Sequence, residues 1–370
     1  MPRLIETLEN GVVVWQVTDD SLPVCNLYCE RPYVSPDGNR FLYSREIGGD
    51  WDYVLCEFGS WRTECVGHGV PCVGVSYQGD HYYARNAANG TLEIVRIDLN
   101  TGKSEVRFAL AKGHRGIDCH PAVSPDGRYL AFSNTLSFAP QRFGVYLVDR
   151  DTGKCECIHE DPYICNAHTQ FDAGVGRTLM IQHNRGCEYT PDGTMVKCVG
   201  DKDGCTLFLL EVPSGNVTRL PIGIPHTAPL TGHEAWVGQS DELIFTVESH
   251  SAYTGAPDAD GNIILIRPGE KHRRIAQGVA MMHIGTTPCG RYFCADGNPN
   301  GRIIVGSPRT GRFMEVCLSY AKYTPKFGQK GHPHAYLSAD FRWLVFNSDR
   351  TGAPQVYAAK VPEGLFDGLD

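Results

Sequence analysis

The chain has 370 residues, of which 42% are hydrophobic and 21% charged, so it can bury one large core or two modest ones, which excludes disordered and collagen-like chains. A formal charge of -8 supplies no basic field for nucleic acid, and no run approaches the roughly eighteen apolar residues of a membrane-spanning helix, so neither nucleic acid nor membrane is an expected partner. The opening Met1-Pro2-Arg3-Leu4-Ile5-Glu6 turns acidic before an apolar stretch of signal-peptide length, which predicts a cytoplasmic protein; the 15 cysteines, odd in number and never spaced as C-x-x-C, predict reduced and mostly buried thiols.

In chain order, the first apolar run, Val12 to Val17, predicts a strand, and after it one phrase recurs. It is a Ser-Pro-Asp-Gly turn, an alternating strand, a second strand, then Asp-x-x-Thr-Gly and a third strand. It is read at Ser35 to Gly38 with FLYSRE and at Ser124 to Gly127 with YLAFSN, FGVYLVDRDTG and CECI; between them lie HYYARN and LEIVRIDLNTGKSEVRF. Further units follow as TLMIQHN with CTLFLLEVPSGNVTRL, ELIFTVE with NIILIRPGEKHRRIA, RYFCADG with RIIVGSPRTGRFMEVCL, and WLVFNSD with PQVYAAKVP. Repeats of about 45 residues with four short strands are the signature of a β-propeller. The expected fold is all-β: one domain over residues 1–370, a seven-bladed propeller of four-stranded antiparallel blades. The last blade runs out at Val361 with three clear strands, so the early strand Val12 to Val17 is expected to complete it and close the ring.

Five successive units begin with histidine: His120, His168, His233, His283 and His332. The start of a blade's innermost strand lies at one mouth of the channel, so these imidazoles are expected to converge. In Gln329-Lys330-Gly331-His332-Pro333-His334 two imidazoles stand at i and i+2, on one side of an extended segment, with an amide oxygen shortly before them. With His283 they offer three imidazoles and one amide, a set that leaves open positions on an octahedral ion such as Mn²⁺ or another divalent metal. Gln182-His183-Asn184-Arg185-Gly186 follows a strand, where the planar fork of Arg185 can clamp a carboxylate. Arg31 precedes an inner strand and is a further candidate to face the channel. No G-x-S-x-G turn, Walker motif or dinucleotide fingerprint occurs, which argues against serine hydrolases and nucleotide enzymes.

The phrases CNLYCERPYVSPDG, WDYVLCEF, NAHTQFDAG, GHEAW, MHIGTTPCGRYFCADG, QKGHPHAYLSAD and YAAKVPE, in this order, resemble those of the bacterial oligogalacturonate lyases, and the resemblance spans nearly the whole chain. It implies a seven-bladed propeller that cleaves short pectin fragments inside the cell, metal ligation by His283, Gln329, His332 and His334, usually of Mn²⁺, and His233 as the base. One part departs from the pattern: the family's catalytic arginine lies in a tryptophan-rich stretch where this chain has HNRGCEYTPDGTMVKCVG, and Arg185 is the nearest substitute there.

The implied chemistry is β-elimination from an anionic uronide oligosaccharide. The C5 proton leaves, charge flows into the carboxylate, and the bond to O4 breaks to give a 4,5-unsaturated sugar. His233 is expected to remove the proton; Arg185, the second catalytic candidate, is expected to orient the sugar or support the developing charge, and His168, His183, Arg31 and His120 to bind the sugar. A base with an ordinary histidine pKa would lose activity as pH falls through roughly 6 to 7. Two alternatives stand beside this reading: a lyase on another uronide, such as a rhamnosyl-glucuronide, and a non-catalytic propeller that binds sugars or proteins. A binding module has no need of five converging histidines.

Overall fold

The recurring turns are closed by their own side chains. In a computed structural model, which describes residues 2–75, 77, 79–110, 119–198, 204–248, 261–277, 280–297 and 301–370, Ser124 Oγ donates to Asp126 Oδ1 at 2.5 Å and accepts from the Tyr129 amide at 2.9 Å. Ser35 with Asp37 and Ser338 with Asp340 repeat the arrangement, both at 2.6 Å. The residue after the aspartate takes a left-handed backbone, φ +71° at Gly38 and +67° at Gly127; Phe341 takes the same role at φ +64°. Each turn therefore delivers the chain into a strand with fixed geometry.

The strands pair in antiparallel fashion. Cys119–Val123, Tyr129–Phe138, Gln141–Asp149 and Cys155–Asp161 form one four-stranded sheet, and Met281–Thr286, Phe293–Gly297, Arg302–Gly306 and Phe313–Leu318 form another. Elsewhere hydrogen bonding runs past the expected four-strand units. The thirteen-residue strand Thr63–Val75 pairs with both Asp50–Glu57 and Asp80–Asn86, and Cys205 pairs with Leu230, so neighbouring units merge into larger sheets. Val13–Gln16 pairs antiparallel with Gln355–Lys360, Val14 opposite Ala359. Outside it lies a strand that sequence reading missed, Arg3–Thr7, whose half-exposed residues carry almost no alternation.

Among the described residues, six buried clusters lie between successive groups of strands. Tyr82 and Ile94 pack with Leu130 and Phe132; Ala131 and Val145 with Leu179 and Phe208; Leu207 and Leu209 with Phe245 and Ile264. Ile244 and Ile263 meet Ile284 and Phe293, and Ile303 and Val305 meet Leu344, Tyr357 and Val14. The remaining cluster joins Val345 and Val356 to Leu42 and Tyr53, and onward to Val95. Burial of each such side chain contributes about 1.5–3 kcal/mol. No described helix is long and apolar enough to cross a membrane.

Candidate functional site

Alternation along each first strand sends one side chain toward the preceding sheet and the next toward the following one. On Leu230–Trp236, Ala235 packs in the cluster with Ile284, whereas Trp236 packs with Leu207. His233, in phase with Ala235, consequently meets His283 edge-on at 4.3 Å between ring centroids. His283 in turn lies 4.2 Å from the ring of His334 and 5.1 Å from that of His332.

One ligand atom each from His283, His332 and His334 lie within 4.8 Å of one another. His283 Nδ1 faces both oxygens of the fully buried Asp296 at 2.9 Å, so that nitrogen is the donor and Nε2 turns toward His332 Nδ1, 3.3 Å away. His334 Nε2 is 3.1 Å from Gln329 Oε1. Asp296 also accepts the His334 amide at 2.9 Å, and Asn26 Nδ2 donates to the His334 carbonyl at 2.8 Å. These two clamps hold His334 at φ +43°, a left-handed conformation that costs a non-glycine residue about 1–3 kcal/mol. Nor is the segment a plain extended run: Pro325–Gly331 is a 3₁₀ helix carrying Gln329, and the turn at His334 re-aims its ring. Borderline nitrogen donors plus an amide oxygen, backed by a buried carboxylate, fit a divalent ion of the Mn²⁺ or Zn²⁺ kind.

His233 is 9% exposed, and its Nδ1 lies 3.0 Å from Thr231 Oγ1, which also contacts Thr246 Oγ1. Burial disfavours the imidazolium and holds His233 well below the usual histidine range, with repulsion from His283 adding to it. That departs from the ordinary pKa on which the expectation of an activity loss between pH 6 and 7 rests. His332 is lowered as well, again chiefly by burial.

The other candidates are held differently. His168, also left-handed at φ +43°, places Nδ1 2.6 Å from Glu30 Oε1, and the Tyr28 ring lies between His168 and His334, at 5.9 and 4.6 Å. Burial pushes His168 down to about 4. Arg31 donates to the Phe171 carbonyl at 3.0 Å and lies 4.0 Å above the Tyr77 ring. Gln182 and Asn184 bond to each other on one face of Thr178–Asn184, which leaves His183 on the opposite face. There His183 pairs with Asp161 at 3.0 Å beside Tyr163 and Phe208. Arg185 is turned to the backbone, donating to the carbonyls of Gly204 and Ile224, both at 3.1 Å. The side chain of His120, on Cys119–Val123, lies outside the described residues.

Sequence reading assigned no role to Asp296 or Glu30, the carboxylates behind His283 and His168, nor to Glu234. Glu234, next to His233, is fully buried, and burial, with Glu30 adding, holds its carboxyl well above the usual range. The signal for Asp296 was its place in the RYFCADG phrase; Glu30 and Glu234 offered none beyond adjacency to Arg31 and His233.

No family model matches the sequence. An oligogalacturonate lyase of Dickeya dadantii is 22% identical, with 92% of each chain covered. The crystal structure of an oligogalacturonate lyase from Vibrio parahaemolyticus superposes with a TM-score of 0.73 at 16% identity, covering 99% of this chain and 98% of that one. An oligogalacturonate lyase in complex with manganese gives a TM-score of 0.71 at 16% identity, covering 99% and 97%. In sequence and in fold, over nearly its full length, the chain resembles the oligogalacturonate lyases.

Proposed function

We propose that the protein is a metal-dependent lyase that cleaves short uronic-acid oligosaccharides, of the oligogalacturonate type, by β-elimination. The observation that carries this reading is the convergence of His283, His332, His334 and Gln329, backed by buried Asp296, beside a fourth, neutral imidazole on His233. The names of the similar proteins, one of them a manganese complex, agree with it.

In this reading His283, Gln329, His332 and His334 are the ligands. A divalent ion there, Mn²⁺ by preference, supplies positive charge that neutralises the substrate carboxylate, an effect worth several kcal/mol. Thr231 and Thr246 orient the His233 ring, and the nitrogen turned away from Thr231 takes the C5 proton, a step worth roughly 10²- to 10⁴-fold. The bond from C4 to its oxygen then breaks, leaving the 4,5-unsaturated sugar. His168 and Arg31, with Arg185 and His183, orient the sugar or support the developing charge. An anionic substrate thus binds an acidic protein through local positive charge.

The architecture that supports this reading is a single domain over residues 1–370, a seven-bladed propeller closed by the pairing of Val13–Gln16 with Gln355–Lys360. The ordered succession of interlayer clusters, ending where it began at Leu42 and Val345, supports that closure. Thiols buried in the cores, such as Cys56 and Cys294, suit a reducing cytoplasmic setting.

The test is incubation with Mn²⁺ and a panel of short uronides, galacturonate oligomers and a rhamnosyl-glucuronide among them, while the ultraviolet absorbance of the unsaturated product is followed. Absorbance with none of them sinks the lyase reading. Absorbance with the glucuronide alone keeps the chemistry and changes the substrate.

A further inference from the structure

Two of the three proposed imidazole ligands are held by hydrogen bonds. Asp296 faces His283 Nδ1 and Gln329 meets His334 Nε2, while Asp296 and Asn26 clamp the backbone of His334. His332, half-buried, is held otherwise: among the described residues its ring has one hydrogen-bond contact, to its fellow ligand His283. An aromatic ring lies against it instead. Tyr323 meets His332 edge-on, with 5.1 Å between centroids and the planes 64° apart. The Tyr323 hydroxyl is buried with no hydrogen-bond partner among the described residues, so what Tyr323 offers its neighbour is the ring. That ring is placed by a strained backbone, φ +52°, in the left-handed region that aromatic residues seldom adopt. The amides on either side, of Lys322 and Thr324, both donate to the Asp349 carboxylate, to Oδ1 at 2.5 Å and to Oδ2 at 2.9 Å. Asp349 is fully buried and follows the strand Trp343–Ser348. On that strand the Asn347 amide donates to the Pro333 carbonyl at 2.8 Å, and Asn347 Oδ1 accepts the Asn26 amide at 2.7 Å. One strand end therefore fixes both the segment that carries His332 and His334 and the loop that lays Tyr323 on it.

We infer that Tyr323 is a positioning residue for the proposed metal centre: clamped by Asp349, its ring fixes the orientation of His332 and so the aim of that imidazole ligand. Asp349 does for His332 through an aromatic ring what Asp296 does for His283 by a direct hydrogen bond. An imidazole free to swing about its Cβ–Cγ bond loses rotational freedom when it binds an ion. Tyr323 restricts that swing beforehand, so its removal weakens the hold on the ion. The inference rests on the metal-dependent reading given above.

The experiment measures Mn²⁺ binding to the purified full chain by the electron paramagnetic resonance of the free ion, with melting temperatures alongside. Tyr323→Ala is expected to weaken binding by about 10-fold or more, and Tyr323→Phe, which keeps the ring, by no more than about 2-fold. Asp349→Asn replaces one acceptor oxygen by an amide donor facing the loop and should weaken binding in the same direction. Because Asp349 acts through Tyr323, the double variant Tyr323→Ala/Asp349→Asn should bind within about 2-fold of Tyr323→Ala alone. Wild-type affinity in Tyr323→Ala, a loss in Tyr323→Phe as large as in Tyr323→Ala, or additive losses in the double variant would each overturn the inference and leave the metal centre standing. Absence of Mn²⁺ binding by the wild type would remove both.

Discussion

Two regions of this molecule use the same residue types to different ends. Around His283 four imidazoles and an amide face one another, and the carboxylate behind them, Asp296, is spent on orientation. At the end of Thr178–Asn184, His183 and Arg185 each have a separate partner, Asp161 for one and the Gly204 and Ile224 carbonyls for the other. Position at a strand start or end is shared by both regions. What separates them is strand phase: His233 falls on the face shared with the next sheet, whereas His183 falls one residue out of phase with Gln182 and Asn184. A histidine inventory by sequence position cannot see that difference; a period-2 count along the strand can.

The largest expected effect comes from breaking the convergent region. His334→Ala removes one nitrogen from the proposed ligand set, so bound metal should fall and turnover should drop by about 10³ or more. Metal analysis by mass spectrometry alongside product absorbance checks both. The apolar clusters lie elsewhere, so the fold should persist. Full activity after exhaustive chelation would remove the metal from the mechanism.

Next in size is His233→Ala, expected to lower turnover by roughly 10² or more with metal content unchanged. The sign of the pH effect follows from burial. The working base is neutral imidazole, and a depressed pKa keeps it neutral to lower pH, so wild-type activity should hold across pH 6–7 and fall only below that window. A half-maximal rate near pH 6.5 would mean that His233 titrates like an exposed histidine or is not the base. Loss of metal in the variant would make it a ligand instead.

Asp296→Asn sharpens the comparison more gently. The amide can still meet His283 Nδ1 but no longer as an anion, so metal affinity should weaken by about 10- to 100-fold, with much of the turnover regained at saturating Mn²⁺. An unchanged affinity would show that the carboxylate only packs. Asp161→Asn, the corresponding change behind His183, should leave metal affinity untouched.

The sequence made the repeats legible because their turns carry their own chemistry: Ser35, Ser124 and Ser338 each close on an aspartate two residues on. The histidines were legible because five successive units of the repeat begin with one. Arg3–Thr7 was not, because a half-exposed edge strand needs no apolar alternation. Glu30 was not, because its partner His168 lies 138 residues away and only the packing of distant units brings them together. The left-handed backbone at His168 and His334 has no sequence signal either; at His334 it is held by Asp296 and Asn26.

The smallest expected effect concerns a buried imidazole that belongs to neither region. His81, fully buried between the rings of Tyr33 and Tyr53, is pushed down by burial to about 3, and the backbone of Gly74 opposes that only in part. Unfolded, it would titrate near 6.5. Below that pH the unfolded chain binds a proton that the folded one refuses, so stability is fully present above pH 6.5 and declines as pH falls toward the folded value. At pH 5 the loss is about 2 kcal/mol, a figure set by the unfolded pKa alone as long as the folded one stays below 5. His233 shifts in the same direction, so the wild-type acid limb should be steeper than one site explains. His81→Phe keeps an aromatic ring among the tyrosines and removes the titration, so its denaturation midpoint should fall less than the wild type's between pH 7 and pH 5. Parallel curves for the two proteins would mean that His81 takes up its proton in the folded state, and that burial alone does not keep an imidazole neutral here.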